Sequence, residues 1–426
     1  MDLRYLEEIL NEQREEILLK ADMKICARRE EALVNLESRL AQVVMGVRRS
    51  GKSTLCYHVL ALSGKRFAYV NFDDERLKDI GSNALDDVLQ VLYKINGDFN
   101  NLFLDEIQNV DGWQLFVNRL LRRGIKIVIT GSNAKLLSSE LATHLTGRHH
   151  SIELLPFSFS EFCEYKGLET TNLTTKKIAF LRQAFDRYLE NGGFPETFDE
   201  QNNADYVNDL VKSIVERDII QRYKVRYKSA LTALTQHLLN NAPCVVVNTE
   251  LQKLLRLQSD HTVDNYVGYL ERSYLISTLC KFSTKSALRM RNKKCYPIDV
   301  SLMNNRQNAF AGLNLGWRLE TIVFLELKRR CNINHHDLFY FNDGRHEIDF
   351  VECNGNNVIR LYQVSYDISN KKTFDREINA LEDVSKLLHC NDMMLITDHE
   401  RRSVELRNGA TVNVVPAYLW LVDHPQ

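Results

Sequence analysis

The fold of this chain is decided by the stretch Gly46–Ser53, which reads G-V-R-R-S-G-K-S. The β-rich run Gln42–Met45 precedes it, and a helix-forming run follows it. In the pattern G-x-x-x-x-G-K-S, the glycines let successive backbone N–H groups turn toward phosphate oxygens, and the lysine reaches the β- and γ-phosphates. The stretch therefore predicts a phosphate-binding loop between a strand and a helix, with a chance glycine turn as the alternative.

The residues of this loop are predicted to bind ATP together with Mg²⁺. The Ser53 hydroxyl is a predicted metal ligand, because the last position of the pattern contacts the ion. The predicted nucleotide-binding residues are Gly46, Val47, Arg48, Arg49, Ser50, Gly51, Lys52, Ser53 and Thr54.

Two adjacent carboxylates follow the apolar run Leu102–Leu104. At the carboxyl end of a buried strand, Asp105 would join the Mg²⁺ shell and Glu106 would polarise the attacking water. The pair therefore predicts hydrolysis of ATP and not binding alone. The alternative is an acidic N-cap for a helix that begins near Trp113.

Length and composition limit the classes of protein that this chain can belong to. Its 426 residues predict two or three domains, and 26% charged with 44% hydrophobic residues exclude a fibrous or disordered protein. The nine cysteines are scattered singly, which argues against a zinc site and a disulfide framework. No stretch approaches the roughly 20 apolar residues that cross a bilayer, so we expect a cytoplasmic protein without a membrane partner.

The order of β-rich and helical runs predicts an α/β protein of several domains. Residues 1–39 form a helical segment, and residues 40–160 alternate five β-rich runs with helical ones, which predicts a core with a parallel five-stranded sheet. Residues 161–235 are mostly helical and predict a lid. Residues 236–290 have the element order of a winged helix, and residues 291–426 form a further α/β domain.

These motifs, with Leu155–Phe162 and the turn Gly192–Pro195, resemble one group of bacterial and archaeal AAA+ ATPases. Members of that group carry a winged helix and a degenerate restriction-endonuclease-like domain after the ATPase core. The resemblance implies that a neighbouring subunit donates an arginine to the γ-phosphate. It therefore implies a homo-oligomer, either a ring, for which a hexamer is one candidate size, or at least a dimer.

The resemblance also implies two further catalytic residues. In this class a polar residue after the run Ile127–Thr130 lies between the γ-phosphate and the attacking water, so Asn133 or Ser132 is the candidate, with a helix N-cap as the alternative. A Gly-Arg pair before the last core strand makes Arg148, in the segment Leu145–Arg148, the candidate arginine finger. The alternatives to Arg148 are an ordinary surface arginine or the basic helix face of Arg119, Arg122 and Arg123.

The C-terminal domain resembles a nuclease that lacks part of its metal site. Restriction-endonuclease-like enzymes use a helix Glu, a strand Asp and a Glu-x-Lys on the next strand. Glu320 and Asp349 match the first two positions, but Gln363–Ser365 reads Q-V-S and removes both a metal ligand and the lysine. We therefore expect a binding or scaffolding remnant without nuclease activity.

Nucleic acid is the partner that local charge favours. The net charge of -1, from 55 basic and 56 acidic residues, favours neither DNA nor protein. Two basic clusters flank the predicted winged helix and form a candidate footprint for the phosphate backbone, the alternative being a solvated face or a subunit contact. The clusters are Arg217, Arg222, Lys224, Arg226 and Lys228, then Lys281, Lys285, Arg289, Arg291, Lys293 and Lys294.

The sequence as a whole thus predicts an AAA+ ATPase that is coupled to duplex or branched DNA, such as a four-way junction. Two alternatives remain open at this point. One is a signalling or partner-loading ATPase whose C-terminal half binds protein, and the other is an ATP-dependent nuclease.

Overall fold

The computed structural model describes residues 2–22, 24–132, 145, 147–198, 203–283, 285, 289, 292–304 and 314–423. The chain divides into two compact units. The first comprises Met1–Leu155 with Arg272–Tyr274, and the second comprises Pro156–Glu271 with Leu275–Gln426.

The first unit is built on a parallel five-stranded sheet, as the sequence predicts. Its strands run in the order β2-β3-β4-β1-β5, and every neighbouring pair is parallel. All residues of β1 and β3 are buried, because strands inside a parallel sheet are covered on both faces. The strands are β1 (Ala41–Met45), β2 (Phe67–Asn71), β3 (Asn101–Asp105), β4 (Lys126–Gly131) and β5 (His149–Glu153).

In the described part of the first unit, four α-helices pack around this sheet. One core cluster joins Leu55 and Leu60 to the strand residues Val44, Phe103 and Val128, so the helix after the phosphate-binding loop is fixed by apolar burial. The helices are α1 (Leu3–Leu19), α2 (Lys52–Leu62), α3 (Leu85–Asn96) and α4 (Trp113–Arg122).

Helix α1 packs beside the edge strand β2, and its Gln13 binds the backbone of that strand. The Gln13 amide Oε1 accepts a hydrogen bond from the Asn71 backbone N–H at 2.9 Å, and its Nε2 donates to the Asn71 carbonyl at 3.0 Å. The same Nε2 donates to Asp74 Oδ2 at 2.9 Å. The buried glutamine therefore satisfies backbone groups that an edge strand otherwise leaves unpaired.

The second unit begins with helices, in agreement with the helical pattern of that region. The α-helix Asn203–Ser213 continues into a π-helix at Ile214–Gln221, and four of the eight residues of the π-helix are buried. The α-helices are α5 (Phe159–Tyr165), α6 (Thr175–Asn191), α7 (Asn203–Ser213) and α8 (Lys228–Asn241).

The turn predicted at Gly192–Pro195 follows α6 and needs both of its glycines. A Cβ on Gly192 would lie 1.8 Å from Asp299 Oδ1, and a Cβ on Gly193 would lie 2.1 Å from the Phe157 carbonyl oxygen. The Gly193 N–H donates to Asp299 Oδ2 at 2.8 Å, and its carbonyl accepts from the Phe157 N–H at 2.8 Å. The turn is therefore held on one side by the Asp299 carboxylate and on the other by the Phe157 backbone.

A three-stranded antiparallel sheet follows in the order β6-β8-β7. Two helices connect its first strand to its second, so the order from α8 onward is helix, strand, helix, helix, strand, strand. The elements are β6 (Cys244–Val245), α9 (Asn248–Leu254), α10 (Asp260–Arg272), β7 (Ile276–Leu279) and β8 (Lys294–Pro297).

The last part of the chain forms a six-stranded mixed sheet in the order β13-β14-β12-β11-β10-β9. Strands β9, β10 and β11 form an antiparallel meander, whereas β12 is parallel to both β11 and β14. Apolar residues of α12 and of this sheet share one core cluster. The elements are α11 (Leu315–Asn334), β9 (Asp337–Asn342), β10 (Glu347–Asn354), β11 (Asn357–Val364), α12 (Lys371–Leu388), β12 (Met393–Thr397), β13 (Arg402–Glu405), β14 (Thr411–Pro416) and α13 (Ala417–Trp420).

Within the described ranges, no helix combines the length and the apolar character that crossing a membrane requires.

Candidate nucleotide-binding site

The loop between β1 and α2 is shaped by the close packing of its backbone. A Cβ on Gly46 would lie 2.0 Å from the Leu154 carbonyl oxygen, so no other residue fits there without displacing the chain. Gly51, which has a φ of 90°, directly precedes α2 and leaves Lys52 and Ser53 in the first turn of that helix. The first N–H groups of α2 have no partner within the helix and are suited to bind an anion.

Lys52 lies inside this loop and is only 5% exposed. Its ammonium donates hydrogen bonds to the carbonyls of Gly46 at 3.2 Å and Val47 at 3.0 Å. The same Nζ lies 3.8 Å from Glu106 Oε1. The cation is therefore held at the centre of the loop and beside the carboxylate at the tip of β3.

Ser53 and Asp105 form the oxygen-rich part of the site. The Ser53 hydroxyl donates to Asp105 Oδ1 at 2.9 Å, and the Thr130 hydroxyl donates to the same oxygen. Burial raises the pKa of Asp105, and the neighbouring Glu106 carboxylate raises it further. A bound divalent cation would favour the ionised carboxylate by supplying positive charge at this position.

The donor set of Ser53 and Asp105 fits Mg²⁺, which takes oxygen ligands. The described part of the chain holds no group of three or more His, Cys, Asp or Glu residues with metal-binding spacing. Where Mg²⁺ is bound together with phosphates, the protein usually gives one or two oxygens and the phosphates and water give the others.

Glu106 is oriented by several donors. Its backbone lies in the left-handed region with a φ of 53°, and its N–H donates to Thr130 Oγ1 at 3.0 Å. Its Oε2 accepts hydrogen bonds from the Ser132 hydroxyl at 3.0 Å and from the Gln108 amide. Although burial opposes ionisation, Lys52 and the Gln108 hydrogen bond hold the pKa of Glu106 below its ordinary value. The side chain is therefore an anion at neutral pH.

The other predicted nucleotide-binding residues belong to the loop itself or to the first turn of α2. Val47 and Ser50 are buried, Arg48 lies 3.6 Å from Asp73 Oδ2, and Arg49 has a positive φ of 70°. The Thr54 hydroxyl accepts a hydrogen bond from Lys20 at 3.4 Å.

The family resemblance suggested Asn133 or Ser132 as the residue that positions water, and Arg148 as the arginine finger. Asn133 lies outside the described residues, whereas its neighbour Ser132 is described and contacts Glu106. Arg148 directly precedes β5, whose first residue pairs with Ala41, whereas the phosphate-binding loop follows Met45 at the other end of β1. Its exposed guanidinium donates to Asn118 Oδ1 at 3.3 Å. Arg148 is therefore not brought together with the loop of its own chain.

Sequence reasoning missed a buried arginine that fixes the loop. Arg28 is 5% exposed, and its guanidinium donates to the Ser50 carbonyl at 3.1 Å and to the Leu155 carbonyl at 2.8 Å. Such charge-assisted hydrogen bonds are stronger than neutral ones. No local pattern marks Arg28, because its partners lie far along the chain. Gln108 was also missed, although it is close in sequence to Glu106, whereas Thr130 was noted only as the end of the run Ile127–Thr130 and given no role of its own.

One residue of the predicted basic footprint is not available at the surface. Lys294 is 6% exposed and forms ion pairs with three carboxylates, so it must be removed from the second basic cluster. Burial of its long side chain was not visible in the sequence because it follows Lys293 in a basic run. Arg291 of the same cluster lies outside the described residues.

Comparison with known families matches residues 38–163 to an AAA domain and residues 182–313 to a domain of unknown function, DUF8612. The uncharacterized protein MJ1544 of Methanocaldococcus jannaschii is 35% identical over 363 residues, covering 83% of this chain and 80% of the relative. An uncharacterized protein of Haemophilus influenzae is 30% identical over 367 residues, covering 82% of this chain and 88% of the relative.

Two solved structures are among the similar ones. The Walker-type ATPase PABY2304 of Pyrococcus abyssi has a TM-score of 0.42 and 15% identity, and the match covers 66% of this chain and 95% of that one. The Aeropyrum pernix Orc1 protein in complex with DNA has a TM-score of 0.30 and 13% identity, covering 71% and 90%. On the evidence of its sequence relatives, this chain belongs to the same family as MJ1544 and the Haemophilus protein, and its residues 38–163 match an AAA domain.

Proposed function

We propose that this chain binds ATP with Mg²⁺ in the loop Gly46–Ser53 and hydrolyses it. The observation that carries the proposal is the convergence of Lys52, Ser53, Asp105 and Glu106 at the neighbouring tips of α2 and β3. Lys52 would bind the terminal phosphates, while Ser53 and Asp105 would hold Mg²⁺. The ion would neutralise charge that develops on the transferred phosphoryl group.

Glu106 is proposed to accept a proton from the attacking water. A general base must be deprotonated and fixed within hydrogen-bond reach of its water. The lowered pKa of Glu106 meets the first requirement, and the hydrogen bonds from Ser132 and Gln108 support the second by fixing the side chain. Thr130 would act indirectly, by orienting both the Asp105 carboxylate and the Glu106 backbone.

Two substitutions test this assignment of roles. Lys52→Ala should abolish nucleotide binding, because it removes the cation at the centre of the loop. Glu106→Gln should still bind ATP but lower kcat by about 10²-fold or more, because the amide cannot accept a proton. Binding of a fluorescent ATP analogue and steady-state phosphate release measure the two effects.

The control is Glu75→Gln, which changes an exposed glutamate of the same unit and should alter neither quantity. If Glu106→Gln hydrolysed ATP at the wild-type rate, the assignment of the base would be wrong.

A homo-oligomer is proposed as the working form, with Arg148 as the arginine that completes a neighbour's site. The five residues of β5 span about 16 Å, and Arg148 lies at the end of the sheet away from the loop. An arginine side chain is too short to reach the phosphates of its own chain from there. Arg119, an alternative, is paired with Asp86 in this structure.

DNA is proposed as the partner of the second unit. The element order from α8 to β8 is the one expected of a winged helix, which supports that part of the proposal. The five basic residues of the first cluster are exposed or half-buried and can contact phosphates: Arg217, Arg222, Lys224, Arg226 and Lys228. Binding through such residues is independent of DNA sequence and weakens with salt.

Salt-titrated binding to duplex, single-stranded and four-way DNA tests this partner, with and without a non-hydrolysable ATP analogue. Reversing Lys224, Arg226 and Lys228 to Glu should weaken binding and reduce the salt slope by about 0.9 for each phosphate that is no longer neutralised. Lys371→Glu with Lys372→Glu, two exposed lysines at the start of α12, is the matched control. No binding to any form near physiological salt would exclude DNA and favour a protein partner.

A further inference from the structure

Three carboxylates of the second unit converge on one lysine. Lys294 Nζ lies 2.8 Å from Glu320 Oε1, 3.2 Å from Glu347 Oε1 and 3.6 Å from Asp349 Oδ1. We call these four residues the Lys294 cluster. Glu320 and Asp349 are the two positions that the sequence assigned to a nuclease metal site.

The lysine reaches these carboxylates from a different sheet. Lys294 is the first residue of β8 in the three-stranded sheet, whereas Glu347 and Asp349 lie on β10 of the six-stranded sheet and Glu320 lies on α11. Tyr296, two residues further along β8, donates its hydroxyl to Glu320 Oε1 at 2.8 Å. Lys294 and Tyr296 of β8 therefore both bind Glu320 on α11, and Lys294 also binds Glu347 and Asp349 on β10.

Lys294 carries its positive charge in this environment. Although burial opposes the charged form, the carboxylates of Glu320, Asp349 and Glu347 hold the pKa of Lys294 above its ordinary value. An ammonium group has three N–H donors, and three carboxylate oxygens face it here. The number of donors thus matches the number of acceptors.

The other side chains do not supply the ligand set of a metal ion. Gln363, which replaces the third nuclease ligand, accepts the Asp349 N–H at 3.2 Å and donates its amide to Glu377 Oε2 at 2.7 Å. The second oxygen of Asp349 accepts the Val364 N–H at 2.9 Å. Mg²⁺ needs near-octahedral oxygen coordination at about 2.1 Å, whereas the Lys294 ammonium already lies among the oxygens of Glu320, Glu347 and Asp349. The residues present do not fit Mg²⁺.

We infer that the Lys294 ammonium takes the place of a divalent metal ion among Glu320, Glu347 and Asp349. The lysine offsets part of the negative charge of these three carboxylates without a metal ion, so the C-terminal sheet performs no metal-dependent nuclease chemistry. The loss of Glu-x-Lys on β11 and the buried lysine on β8 are then two parts of one change. The former metal site has become a contact that joins β8 to the six-stranded sheet.

Lys294→Met tests the inference, because it removes the charge and keeps most of the side-chain length. In the nucleotide-free full chain with EDTA, its Tm should fall by roughly 10 °C, since three carboxylates lose their buried cation. Millimolar Mn²⁺ should restore part of that loss in the variant and leave the wild-type Tm unchanged. Electron paramagnetic resonance should show one bound Mn²⁺ per chain in Lys294→Met and none in the wild type.

Two further variants serve as controls. Lys293→Met changes the preceding lysine, which forms no part of the cluster, and should behave as the wild type. Adding Glu320→Gln to Lys294→Met should abolish Mn²⁺ binding, which separates this site from the phosphate-binding loop.

Two results would overturn the inference. One is Mn²⁺ binding, or Mg²⁺-dependent DNA cleavage, by the wild type that Glu320→Gln removes. The other is a folded Lys294→Met protein that gains no Mn²⁺ site. If Lys294→Met does not fold, the wild-type measurement alone decides, because wild-type Mn²⁺ binding at Glu320 contradicts the inference and its absence supports it.

Discussion

At the scale of single residues, the Glu106 carboxylate depends on donors that do not themselves touch ATP in the proposed mechanism. Ser132 donates through both its hydroxyl, at 3.0 Å, and its backbone N–H, at 3.3 Å, to the same oxygen of Glu106. Substitution of the side chain removes only the first of these bonds. The backbone bond, the Gln108 amide and the nearby Lys52 ammonium remain. Ser132 should therefore influence the rate without being essential to it.

We predict that Ser132→Ala lowers kcat for ATP hydrolysis by about 10-fold, because a hydrogen bond to a charged group contributes about 1.5–3 kcal/mol. The Kd for ATP should stay within a factor of about two, since the loop and Lys52 are untouched. Steady-state kinetics and equilibrium binding on the same preparation measure both. Asn133→Ala is the comparison, and a large loss there with none in Ser132→Ala would assign the water-positioning role to Asn133.

Gln13 of α1 is a second residue with a predictable effect, in this case on the stability of the fold. Gln13→Leu should lower the free energy of unfolding by about 1–3 kcal/mol, because it leaves the Asn71 backbone groups on the edge strand without their partners. The midpoint of urea unfolding measures this. Glu15→Ala, at an exposed position of the same helix, should shift the midpoint only slightly. Equal stability of Gln13→Leu and wild type would show that water replaces the glutamine.

The residues of the candidate site that the sequence indicated are those that a local pattern encodes. Lys52, Ser53, Asp105 and Glu106 each follow from a spacing or from the end of an apolar run. Arg28 and Gln13 could not be found in this way, because their partners at Ser50, Leu155 and Asn71 are brought near only by the folded chain. Long-range hydrogen bonds of polar side chains leave no periodic signal in a single sequence.

At the scale of elements, the turn Gly192–Pro195 shows how a glycine pair fixes the end of a helix. Asp299 accepts N–H groups from Gly193 and Ser301, so one buried carboxylate binds two separate backbone segments. Desolvation by burial raises the pKa of Asp299, and these hydrogen bonds oppose the rise. The turn is therefore a fixed contact of the second unit and not merely a connection.

We predict that Gly193→Ala destabilises the protein by about 1–3 kcal/mol, because its new Cβ would lie 2.1 Å from the Phe157 carbonyl oxygen. Differential scanning calorimetry should show a lower Tm. Gly268→Ala on α10 is the matched control, since nothing lies within 4 Å of a Cβ at that position. That change should be neutral or stabilising by up to about 1 kcal/mol. An unchanged Tm for Gly193→Ala would mean that the turn can relax.

Two features of the fold that the sequence did not predict leave no recognisable period in it. Strand β13 is mostly exposed, so its residues show no apolar alternation and only its pairing with β14 makes it a strand. The π-helix Ile214–Gln221 was expected to be helical, but its wider hydrogen-bond spacing is not visible in a sequence period. By contrast, the five strands of the first unit are short apolar runs separated by helices, and all five were predicted.

At the scale of the whole molecule, the position of Arg148 relates catalysis to assembly. The residue lies at the end of the sheet that is remote from its own phosphate-binding loop. It is exposed and contacts Asn118 on α4. An arginine with a catalytic role from this position has to act on the nucleotide of another chain. Hydrolysis should then depend on protein concentration, whereas ATP binding to one chain should not.

Arg148→Ala is predicted to lower kcat by about 10³-fold while ATP binding is retained, because an arginine finger neutralises charge only on the transferred phosphoryl group. Mixing it with Lys52→Ala should restore part of the activity. The Lys52→Ala chain contributes an intact Arg148, and the Arg148→Ala chain contributes an intact loop, so a mixed interface holds one complete site. Phosphate release from the mixture, against each variant alone at the same total concentration, measures the rescue.

Arg39→Ala, at an exposed position of the same unit, controls for loss of surface charge. If Arg148→Ala hydrolysed ATP normally and Arg122→Ala or Arg123→Ala did not, the arginine finger would be assigned to the C-terminal end of α4. Loss without rescue in the mixture would show that Arg148 acts within its own chain by supporting Asn118 and the start of β5.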